Sequence, residues 1–431
     1  MWATGHFVAI ATAIGLLTFV AIYSVPVIDG PPIRSDGYSY YVYLPSWLLF
    51  HDTTLESVAA DCCGGTYPVF TLITRWPTTG RWLNVHPIGV ALLMLPFFVA
   101  AHLLTRWSNL TPDGFSAYYQ YAAGLAGLTY LLIGLAILRR TLLRHFRGGV
   151  VLATLITITF GTNLFHYGTA DATFSHAFAF FSICALVELN EQWWHRPTIA
   201  RAIGLGAAAG LVILIRHSNA VLLLIVPLYG VVRVPDLTSL PRRLWERRPQ
   251  LAAMALTSTI VIAPQLLLYK SATAHWLVSS YTGLGLGFNF ASPHIVDVLF
   301  STQKGLFFWA PALLLAVPGF AMARGVTRNI RIGAFIALAI DTYLIASFSD
   351  WQFAGSYGHR AFTDVFAILA LFLASFFEWI AHRARLIPLV VIATALAVVL
   401  SIAQMIQYWL GIIPMWDTTW DQYVRLFLRF R

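Results

Sequence analysis

Charge is scarce in this sequence: only 10% of its 431 residues are Asp, Glu, Lys or Arg, whereas 58% are hydrophobic. Soluble domains carry about 25% charged and about 45–50% apolar residues. So large a departure excludes a water-soluble fold, a disordered tail and a nucleic-acid-binding module. Because apolar stretches of about 20 residues, the length of one transmembrane helix, make up about half of the chain, lipid must surround most of it. No stretch is left for a soluble domain of about 100 residues, so we predict a single membrane domain, 1–431.

Cysteine is also rare, and the motifs of several enzyme classes are missing. The three cysteines are Cys62, Cys63 and Cys184, and no CxxC or Cys/His spacing predicts a zinc site. A vicinal Cys62–Cys63 disulfide is an uncommon alternative to two thiols, whereas Cys184 is predicted to be a small core residue. No GxxxxGK[ST], Rossmann glycine pattern or HExxH occurs. A pump with its own ATPase domain is therefore excluded.

Eleven apolar segments are predicted to cross the membrane. Their bounds are 6–28, 116–138, 150–168, 173–190, 200–217, 219–232, 250–269, 305–323, 331–348, 361–381 and 387–409. The first has no Lys or Arg before it and no A-x-A-like site after it, so it is predicted to be an uncleaved helix. The expected fold class is all-α: a polytopic transmembrane helical bundle with juxtamembrane or re-entrant helices in a first external loop, 29–115.

The distribution of arginine predicts the topology. If the proline-containing run 86–104 does not cross, five loops lie on the side of the N-terminus and hold 16 of the 27 basic residues. These loops are 139–149, 191–201, 233–248, 324–331 and 382–385. Such a concentration marks the cytoplasmic face, so the net charge of +9 is a topology signal and no nucleic-acid partner is expected. We expect 86–104 to form a re-entrant or juxtamembrane hairpin. In the alternative, a twelfth crossing places the arginine-rich loops outside.

Asp36 is the first candidate for chemistry. It lies in the string RSDGYSYYVYLPSWLLF, a few residues after the first helix and beside tyrosines that include Tyr40. A carboxylate at this membrane–water boundary stays charged at little cost and can reach a lipid head group, which suits a general base. A solvated aspartate beside an interfacial tyrosine belt is the alternative, and spacing alone does not decide between the two.

Asp171 is the second acid, in the string NLFHYGTADATFSHAFAFF at a tight external turn. It precedes a helix start, so a capping role competes with a role in an active site, and the two can coexist. His176 follows five residues later. By itself it is as well explained as a core histidine.

Basic residues gather at the external helix ends. Lys304 precedes one helix in STQKGLFFW, Arg360 precedes another in AGSYGHRAFTD, and Arg216 ends a helix in LIRHSNA. Cations on one face near an acid suit an anionic head group, with arginine giving bidentate phosphate contacts. Snorkelling or phospholipid contact is the alternative for each. The predicted substrate-binding residues are Arg81, His86, His176, Arg216, Lys304, His359, Arg360 and Tyr40.

Six strings occur in the order found in a known superfamily. They are SDGYSYYVYLPS, HPIGVALLMLPFF, PDGFSAYYQY, FGTNLFHYGTADATFSHAFAFF, STQKGLFFWAP and GSYGHRAF. Together they resemble the bacterial polytopic glycosyltransferases of the C-type (GT-C) superfamily, which includes the protein O-mannosyltransferases and the lipid A aminoarabinose transferases. The resemblance covers roughly residues 1–380 and does not specify the sugar.

The resemblance implies a donor sugar on a polyprenyl phosphate, presented from the outer leaflet. Asp36 matches the acid of the first external loop, which acts as a base or organises the acceptor, and Asp171 matches a second external acid. Many relatives have two consecutive acids at the first position, where this chain has Gly37. This departure puts both a metal site and a paired-acid mechanism in doubt, and no cofactor is certain, with a divalent metal ion left open.

The basic positions are matched in the same way. His86 takes the place of a basic residue that precedes a proline pair in the aminoarabinose transferases. Lys304 and Arg360 match basic positions that face the donor phosphate.

These observations predict a hexosyl- or pentosyltransferase of the inner (plasma) membrane. The sugar is expected to pass from a polyprenyl-phosphate donor to a lipid- or polysaccharide-linked acceptor, on the periplasmic or extracellular side among membrane lipids. A single inverting displacement with Asp36 as base would suffice. The alternative is a non-catalytic transporter of lipid-linked sugars or small molecules. Such a protein would carry midplane charges and paired broken helices, yet Asp341 is the main midplane charge and the other notable acids lie at an external face.

Overall fold

The computed structural model describes residues 2–24, 30–59, 72–353 and 355–430. Cys62 and Cys63 lie outside the described residues, so their pairing stays a prediction. Cys184 is a buried free thiol, as expected of a core residue.

The described chain is helical apart from one short hairpin. The α-helices are α1 (Trp2–Ser24), α2 (Asp36–Tyr41), α3 (Tyr43–Leu48), α4 (Glu56–Ala59), α5 (Gly89–Trp107), α6 (Ala117–Leu143), α7 (Gly148–Phe160), α8 (Leu164–Thr169), α9 (Ser175–His195), α10 (Ile199–Ile215), α11 (Leu240–Trp245), α12 (Arg248–Thr273), α13 (Ile295–Phe300), α14 (Leu306–Trp309), α15 (Ala316–Ala321), α16 (Val326–Ser347), α17 (Phe366–Ala381), α18 (Ile387–Trp409) and α19 (Trp420–Leu426). Shorter 3₁₀ segments are His217–Ile225, Val234–Ser239, Ser280–Leu284, Pro311–Leu315 and Arg360–Val365.

The hairpin lies between α4 and α5. Strand β1 (Ile73–Arg75) pairs antiparallel with β2 (Trp82–Asn84), with Thr74 opposite Leu83. Gly80 has a φ of +68°, a left-handed conformation that glycine adopts without steric cost, and it helps to reverse the chain between the strands.

The predicted all-α membrane bundle is confirmed. Among the described residues, seven helices are long and apolar enough to cross a membrane, namely α1 from Thr4, α5, α6, α12, α16, the stretch Arg360–Ala381 that includes α17, and α18. Shorter apolar helices fill the gaps between them. Helix α9 is also continuous over 21 residues, but most of its side chains pack inside the protein. The chain is therefore a multi-pass membrane protein.

Three of the predicted spans are not single helices. The segment 305–323 is split into α14, a 3₁₀ turn that begins at Pro311, and α15, because proline has no N–H to continue the α-helical ladder. The segment 219–232 contains part of a 3₁₀ helix followed by turns. The segment 150–168 ends one helix at Phe160 and starts another at Leu164. The prediction that these three segments are apolar is correct, but the prediction that each forms one continuous helix is wrong.

The hairpin predicted for 86–104 is also wrong, because one unbroken helix, α5, occupies this stretch with Pro96 inside it. The helix is long enough to cross a membrane. A side chain at Gly89 would overlap the backbone of Leu214, at the end of α10. Near the other end of α5, His102 Nδ1 lies 2.7 Å from the hydroxyl of Tyr119 in the first turn of α6. Since both contacts lie away from the arginine-rich loops, they favour the juxtamembrane placement.

The arginine-rich loops meet at one end of the bundle. Arg144 binds Glu188 and Glu191 near the end of α9, at 2.5 and 2.7 Å. Arg147 binds Glu378 at 3.1 Å, near the end of α17. The guanidinium carbons of Arg243 and Arg247 lie 4.7 and 4.8 Å from the ring centre of Trp194. The shared location agrees with the common side predicted for these loops.

Helices α9 and α17 run through the centre of the bundle. The largest hydrophobic cluster packs around them and includes Phe180, Trp193, Phe366 and Phe372, all of them fully buried. The N-termini of α9 and α17, at Ser175 and Phe366, lie at the end of the bundle opposite the arginine-rich loops. The polar residues predicted from sequence, with the exception of Arg81, surround these two ends.

Candidate active site

Asp36 and Arg360 meet in an ion pair at this end of the bundle. Asp36 begins α2, and Arg360 begins the 3₁₀ segment that leads into α17. Arg360 Nη1 lies 2.9 Å from Asp36 Oδ2, and the two side chains are only 10% and 16% exposed. A charge this well buried needs a partner of opposite sign. The pair joins the start of α2 to the segment that leads into the central helix α17.

Two effects oppose each other at the Asp36 carboxyl. Burial raises its pKa, whereas the positive charge of Arg360, followed by His86 and His176, lowers it, and the net direction is below the ordinary value. The carboxylate is therefore ionised at neutral pH, as a group that accepts a proton must be. Burial lowers the pKa of His86 to about 4, so this ring stands neutral beside it.

Tyr40 and His86 form an aromatic wall next to Asp36. Their rings stack with centres 4.0 Å apart, and Tyr281 meets the His86 ring edge-on at 6.3 Å. The hydroxyl of Tyr43 donates to the His86 carbonyl at 2.7 Å. Among the described residues, His86 Nδ1 has no hydrogen-bond partner. Both residues predicted from sequence thus lie at the Asp36 site, with one polar atom left to engage a ligand.

Lys304 lies in the same region as Asp36, and no carboxylate in the described part of the chain forms an ion pair with it. The residue is 3% exposed, and Nζ donates to the carbonyls of Ser356 and Met415, the latter at 2.8 Å. No Asp or Glu within the described residues approaches Nζ within 4.0 Å. Burial, and then the charge of Arg360, lowers the pKa of Lys304 to about 7. A buried ammonium held by two carbonyls is suited to receive an anion.

Asp171 is enclosed by its own partners. Oδ1 accepts from Arg34 Nη2 at 2.8 Å, and Oδ2 lies 2.9 Å from His166 Nε2. The indole of Trp409 donates to His166 Nδ1 at 2.9 Å. Because an indole N–H only donates, Nδ1 accepts and the ring proton sits on Nε2, directed at Asp171. Asp171 is therefore not the helix cap proposed as an alternative, and it is not open to a ligand at either of these contacts.

Asp364 is the centre of a second buried cluster. Its Oδ1 lies 3.1 Å from His176 Nδ1, and its Oδ2 accepts from Arg216 Nη1 at 2.9 Å and from Asn219 at 3.0 Å. The Asp364 side chain is 1% exposed. His176 and Arg216, which were predicted to bind substrate, thus have a protein partner. The cluster fixes the 3₁₀ segment that carries Arg360.

Replacing Asp364 by asparagine is expected to lower the free energy of unfolding by about 3–5 kcal/mol, because the Arg216 charge then stays buried without a counter-charge. Intrinsic tryptophan fluorescence during heating in detergent measures the shift. The control is Asp297→Asn, which removes an exposed aspartate 3.0 Å from His294 and should leave the melting temperature unchanged. An equal melting temperature for Asp364→Asn and wild type would contradict the assignment.

The loop before Asp36 is tightly constrained. Ser35 has a φ of +48°, which is unusual for a residue with a side chain. The Thr173 hydroxyl donates to the Pro32 carbonyl at 2.8 Å. A Cβ at Gly37 would overlap that same hydroxyl. Glycine at 37 is therefore required by the close approach of the turn that follows Asp171.

Arg81 is not at the Asp36 site. It lies beside the β1–β2 hairpin, where Nη1 donates to the Ser271 carbonyl at 2.5 Å. It lines a separate cavity of about 370 Å³, together with Glu56, Arg75, Trp82 and the end of α12. Asn84 also lines this cavity and donates to the Ser39 carbonyl at 2.6 Å. The structure does not bring Arg81 together with the other predicted residues.

His359 precedes Arg360 and is buried between aromatic rings, with Phe353 and Phe362 edge-on at 5.7 and 4.8 Å. Burial, and then the charge of Lys304, lowers its pKa to about 3. It is a neutral ring at the cation-rich side of the site. Across the described residues, no three His, Cys, Asp or Glu side chains group as metal ligands. Asp36, Asp171 and Asp364 each face an arginine, so this donor set does not fit a divalent metal ion.

Sequence reasoning missed Arg34, His166 and Asp364. Arg34 lies two residues before Asp36, and a single arginine in a loop carries no signal of its own. His166 lies in the same string as Asp171. Asp364 begins an apolar span, where a charge is costly and so points to function or pairing. That cost was the signal that could have identified Asp364.

Comparison with known proteins gives a fold relationship. No family model matches the chain, and no curated protein matches its sequence. The crystal structure of ArnT from Cupriavidus metallidurans bound to undecaprenyl phosphate superposes with a TM-score of 0.55 at 15% identity. The match covers 90% of this chain and 64% of that chain, so this protein spans less than two thirds of the length of its neighbour. The likeness supports the GT-C-like fold expected from the sequence strings.

Proposed function

We propose that the protein transfers a sugar from a polyprenyl-phosphate donor to a lipid- or polysaccharide-linked acceptor. The observation that carries this proposal is the Asp36–Arg360 ion pair together with the buried Lys304. A carboxylate, Asp36, and a buried cation with no described carboxylate within 4.0 Å, Lys304, occur at the same end of a membrane bundle. Such a site offers a base for a hydroxyl group and positive charge for a phosphate.

The surroundings of Arg360 suit a lipid phosphate. Its guanidinium carbon lies 5.6 Å from the ring centre of Phe174 and 6.0 Å from that of Phe353. The Arg216 guanidinium carbon is also 6.0 Å from Phe353. Aromatic faces attract and orient cations in an environment with little water. In this proposal, Lys304 and Arg360 bind the donor phosphate and offset the charge that develops on it.

The reaction would be a single displacement. The acceptor oxygen attacks the anomeric carbon, the bond from that carbon to the phosphate oxygen breaks, and polyprenyl phosphate leaves with the electron pair. The acceptor proton passes to the Asp36 carboxylate. A lowered pKa makes Asp36 a weak base, which suffices if the anomeric carbon is already electron-poor when the proton moves. The configuration at the anomeric carbon inverts because there is one displacement and no covalent intermediate.

The orientation of the bundle supports an external site. The arginine-rich loops gather at the end opposite to Asp36, and such loops usually remain in the cytoplasm. We therefore assign the site to the non-cytoplasmic face of the inner membrane. The neighbour of similar fold was crystallised with undecaprenyl phosphate, which is a lipid of the class proposed here.

A direct assay tests the proposal. Purified protein in detergent is incubated with a polyprenyl-phosphate donor labelled in the sugar, and an inner-membrane lipid extract supplies acceptors. We expect label in a new lipid product and an equal amount of free polyprenyl phosphate. Transport of intact donor across reconstituted vesicles without any release of polyprenyl phosphate would instead support the transporter.

Donor binding should weaken as pH rises above about 7. Because Lys304 has a pKa of about 7 in the free protein, it is cationic below that pH and becomes neutral above it. The donor is a phosphodiester with one fixed charge and favours the cationic lysine, so its affinity should fall by up to about tenfold per pH unit between pH 7 and 9. Microscale thermophoresis with labelled donor measures the dissociation constant.

Two lysine variants check this assignment. Lys304→Arg keeps its charge at every pH tested and should remove the dependence. Lys270→Arg changes the only other lysine, which is exposed and bonded to the Ala274 carbonyl at 2.7 Å, and it should behave like wild type. A dependence that persists in Lys304→Arg would contradict the role given to Lys304.

A further inference from the structure

We propose that Asp171 is a positioning residue that holds Asp36 against Arg360 by anchoring Arg34, and that it does not itself act on the substrate. The inference rests on the proposed function. It replaces the catalytic role that the sequence predicted for Asp171. The juxtaposition behind it is a pair of ion pairs that flank one residue: Arg34 binds Asp171, Asp36 binds Arg360, and Ser35 lies between them.

The hydrogen bonds of Asp171 support this assignment. One oxygen accepts from Arg34 and the other from the proton on His166 Nε2, which is fixed in that tautomer by Trp409. Arg34 also donates to the Ala170 carbonyl at 3.1 Å. A base that attacks an acceptor hydroxyl needs an oxygen directed at the substrate. The oxygens of Asp171 are directed instead at the protein.

The backbone between the two ion pairs explains why an anchor is needed. Ser35 has φ 48° and ψ −130°, a sparsely populated conformation for a residue with a Cβ. Such conformations persist only where contacts with the surrounding structure hold the backbone in place. The neighbouring segment is fixed as well, because Ile33 N–H donates to Gln120 at 2.8 Å and the Pro32 carbonyl accepts from Thr173. Loss of the Arg34 anchor would let this turn relax, and Asp36 would move with it.

The arrangement also separates the two carboxylates by function. Asp36 is paired with one guanidinium of the central helix and stands beside the neutral His86. Asp171 is paired with the guanidinium of Arg34, which lies in the loop that precedes Asp36. A displacement of the reacting group by about 1 Å can cost about 100-fold in rate. A remote carboxylate that sets the position of the base therefore has a large effect without contact to substrate.

The test compares Asp171→Asn, Arg34→Gln and the double variant in the full-length protein. If Asp171 acts through Arg34, each single variant should lower kcat/KM by about 100-fold, and the double variant should be within about threefold of either single variant. Losses that multiply in the double variant would overturn the proposal, because Asp171 would then act independently of Arg34. Asp297→Asn, which removes an exposed aspartate near a histidine, is the matched control and should retain wild-type kcat/KM.

The pH profile provides a readout that loss of stability alone would not move. Arg360, His86, His176 and Asp171 are the charged or titratable groups that act on the pKa of Asp36, and Arg360 holds it low against the effect of burial. The charge of Asp171 itself raises the pKa of Asp36, so its removal alone should shift the acid limb of kcat/KM to lower pH in Asp171→Asn. When the loop relaxes and Asp36 moves away from Arg360, the pKa of Asp36 should rise, and because Arg360 is the strongest of these charges the acid limb should shift to higher pH. An acid limb at the wild-type pH or below it, with reduced kcat/KM, would contradict the positioning role. Arg34→Lys retains the positive charge and should preserve most of the activity.

Hydrogen–deuterium exchange separates this proposal from the proposed function. The amides of 30–44 should exchange faster in Asp171→Asn than in wild type or Asp297→Asn, whether or not a donor is known. Unchanged exchange in this segment would overturn the positioning role even for an active enzyme. If the wild-type protein transfers no sugar but these amides still exchange faster in Asp171→Asn, the anchoring of the loop is upheld. Only the proposed function is then refuted.

Discussion

Asp36→Asn is expected to lower the rate of sugar transfer by about 10³-fold, within the range of about 10²–10⁴ attributed to a positioned acid or base. The amide has nearly the shape of the carboxylate but cannot accept the acceptor proton. It also leaves Arg360 without its counter-charge. The rate is measured as release of polyprenyl phosphate from labelled donor under single-turnover conditions, so that slow product release does not hide the chemical step.

Donor affinity should be retained in this variant or increase, since Arg360 is then free to bind the phosphate. A matched control is Asp297→Asn, the exposed aspartate near His294, which should transfer at the wild-type rate. Full activity of Asp36→Asn would remove the proposed base. If Asp36→Asn is not expressed or elutes abnormally in size-exclusion chromatography, Asp36→Glu takes its place. This variant keeps the carboxylate and should retain measurable transfer.

Arg360→Gln should reduce both transfer and stability. Removing one electrostatic contact to the developing charge typically costs about 10²–10³ in rate. Leaving the buried Asp36 unpaired costs about 3–5 kcal/mol of unfolding free energy. Single-turnover assays measure the first effect and thermal unfolding in detergent measures the second. The exposed Arg328, at the opposite end of the bundle, provides the control variant Arg328→Gln.

The double variant Asp36→Asn/Arg360→Gln distinguishes the two effects of Arg360. Neutralising both partners removes the unpaired charge, so the melting temperature should recover toward that of wild type. Transfer should remain lost because neither the base nor the phosphate cation is present. Recovery of transfer together with stability would show that the pair is structural and has no role in the reaction.

The fold was largely predictable because lipid imposes a simple rule on sequence. Apolar runs of sufficient length must be helical in a membrane, and loop arginines report their side. The interruptions were harder to predict. Hydropathy does not distinguish a straight helix from the broken stretch at Pro311 or the 3₁₀ helix after Arg216. Such breaks are tolerated where neighbouring helices satisfy the backbone.

The sequence predicted many of the polar residues of the site but not which acid pairs with which cation. Asp36, His86, Lys304 and Arg360 were found as isolated polar residues at helix ends, and they do lie together. Which cation binds which acid depends on distances between segments that are far apart in sequence. Asp364 illustrates the limit, since its partners His176 and Arg216 come from different helices.

The contact between Gly37 and Thr173 bears on how this site could change. A second carboxylate next to Asp36 cannot be introduced by one substitution, because any β-carbon at 37 collides with the threonine hydroxyl. Shortening residue 173 would make room but would also remove the bond to Pro32. A two-carboxylate version of this pocket therefore requires coordinated changes in two distant segments, so a library that varies position 37 alone should return only glycine among its active clones.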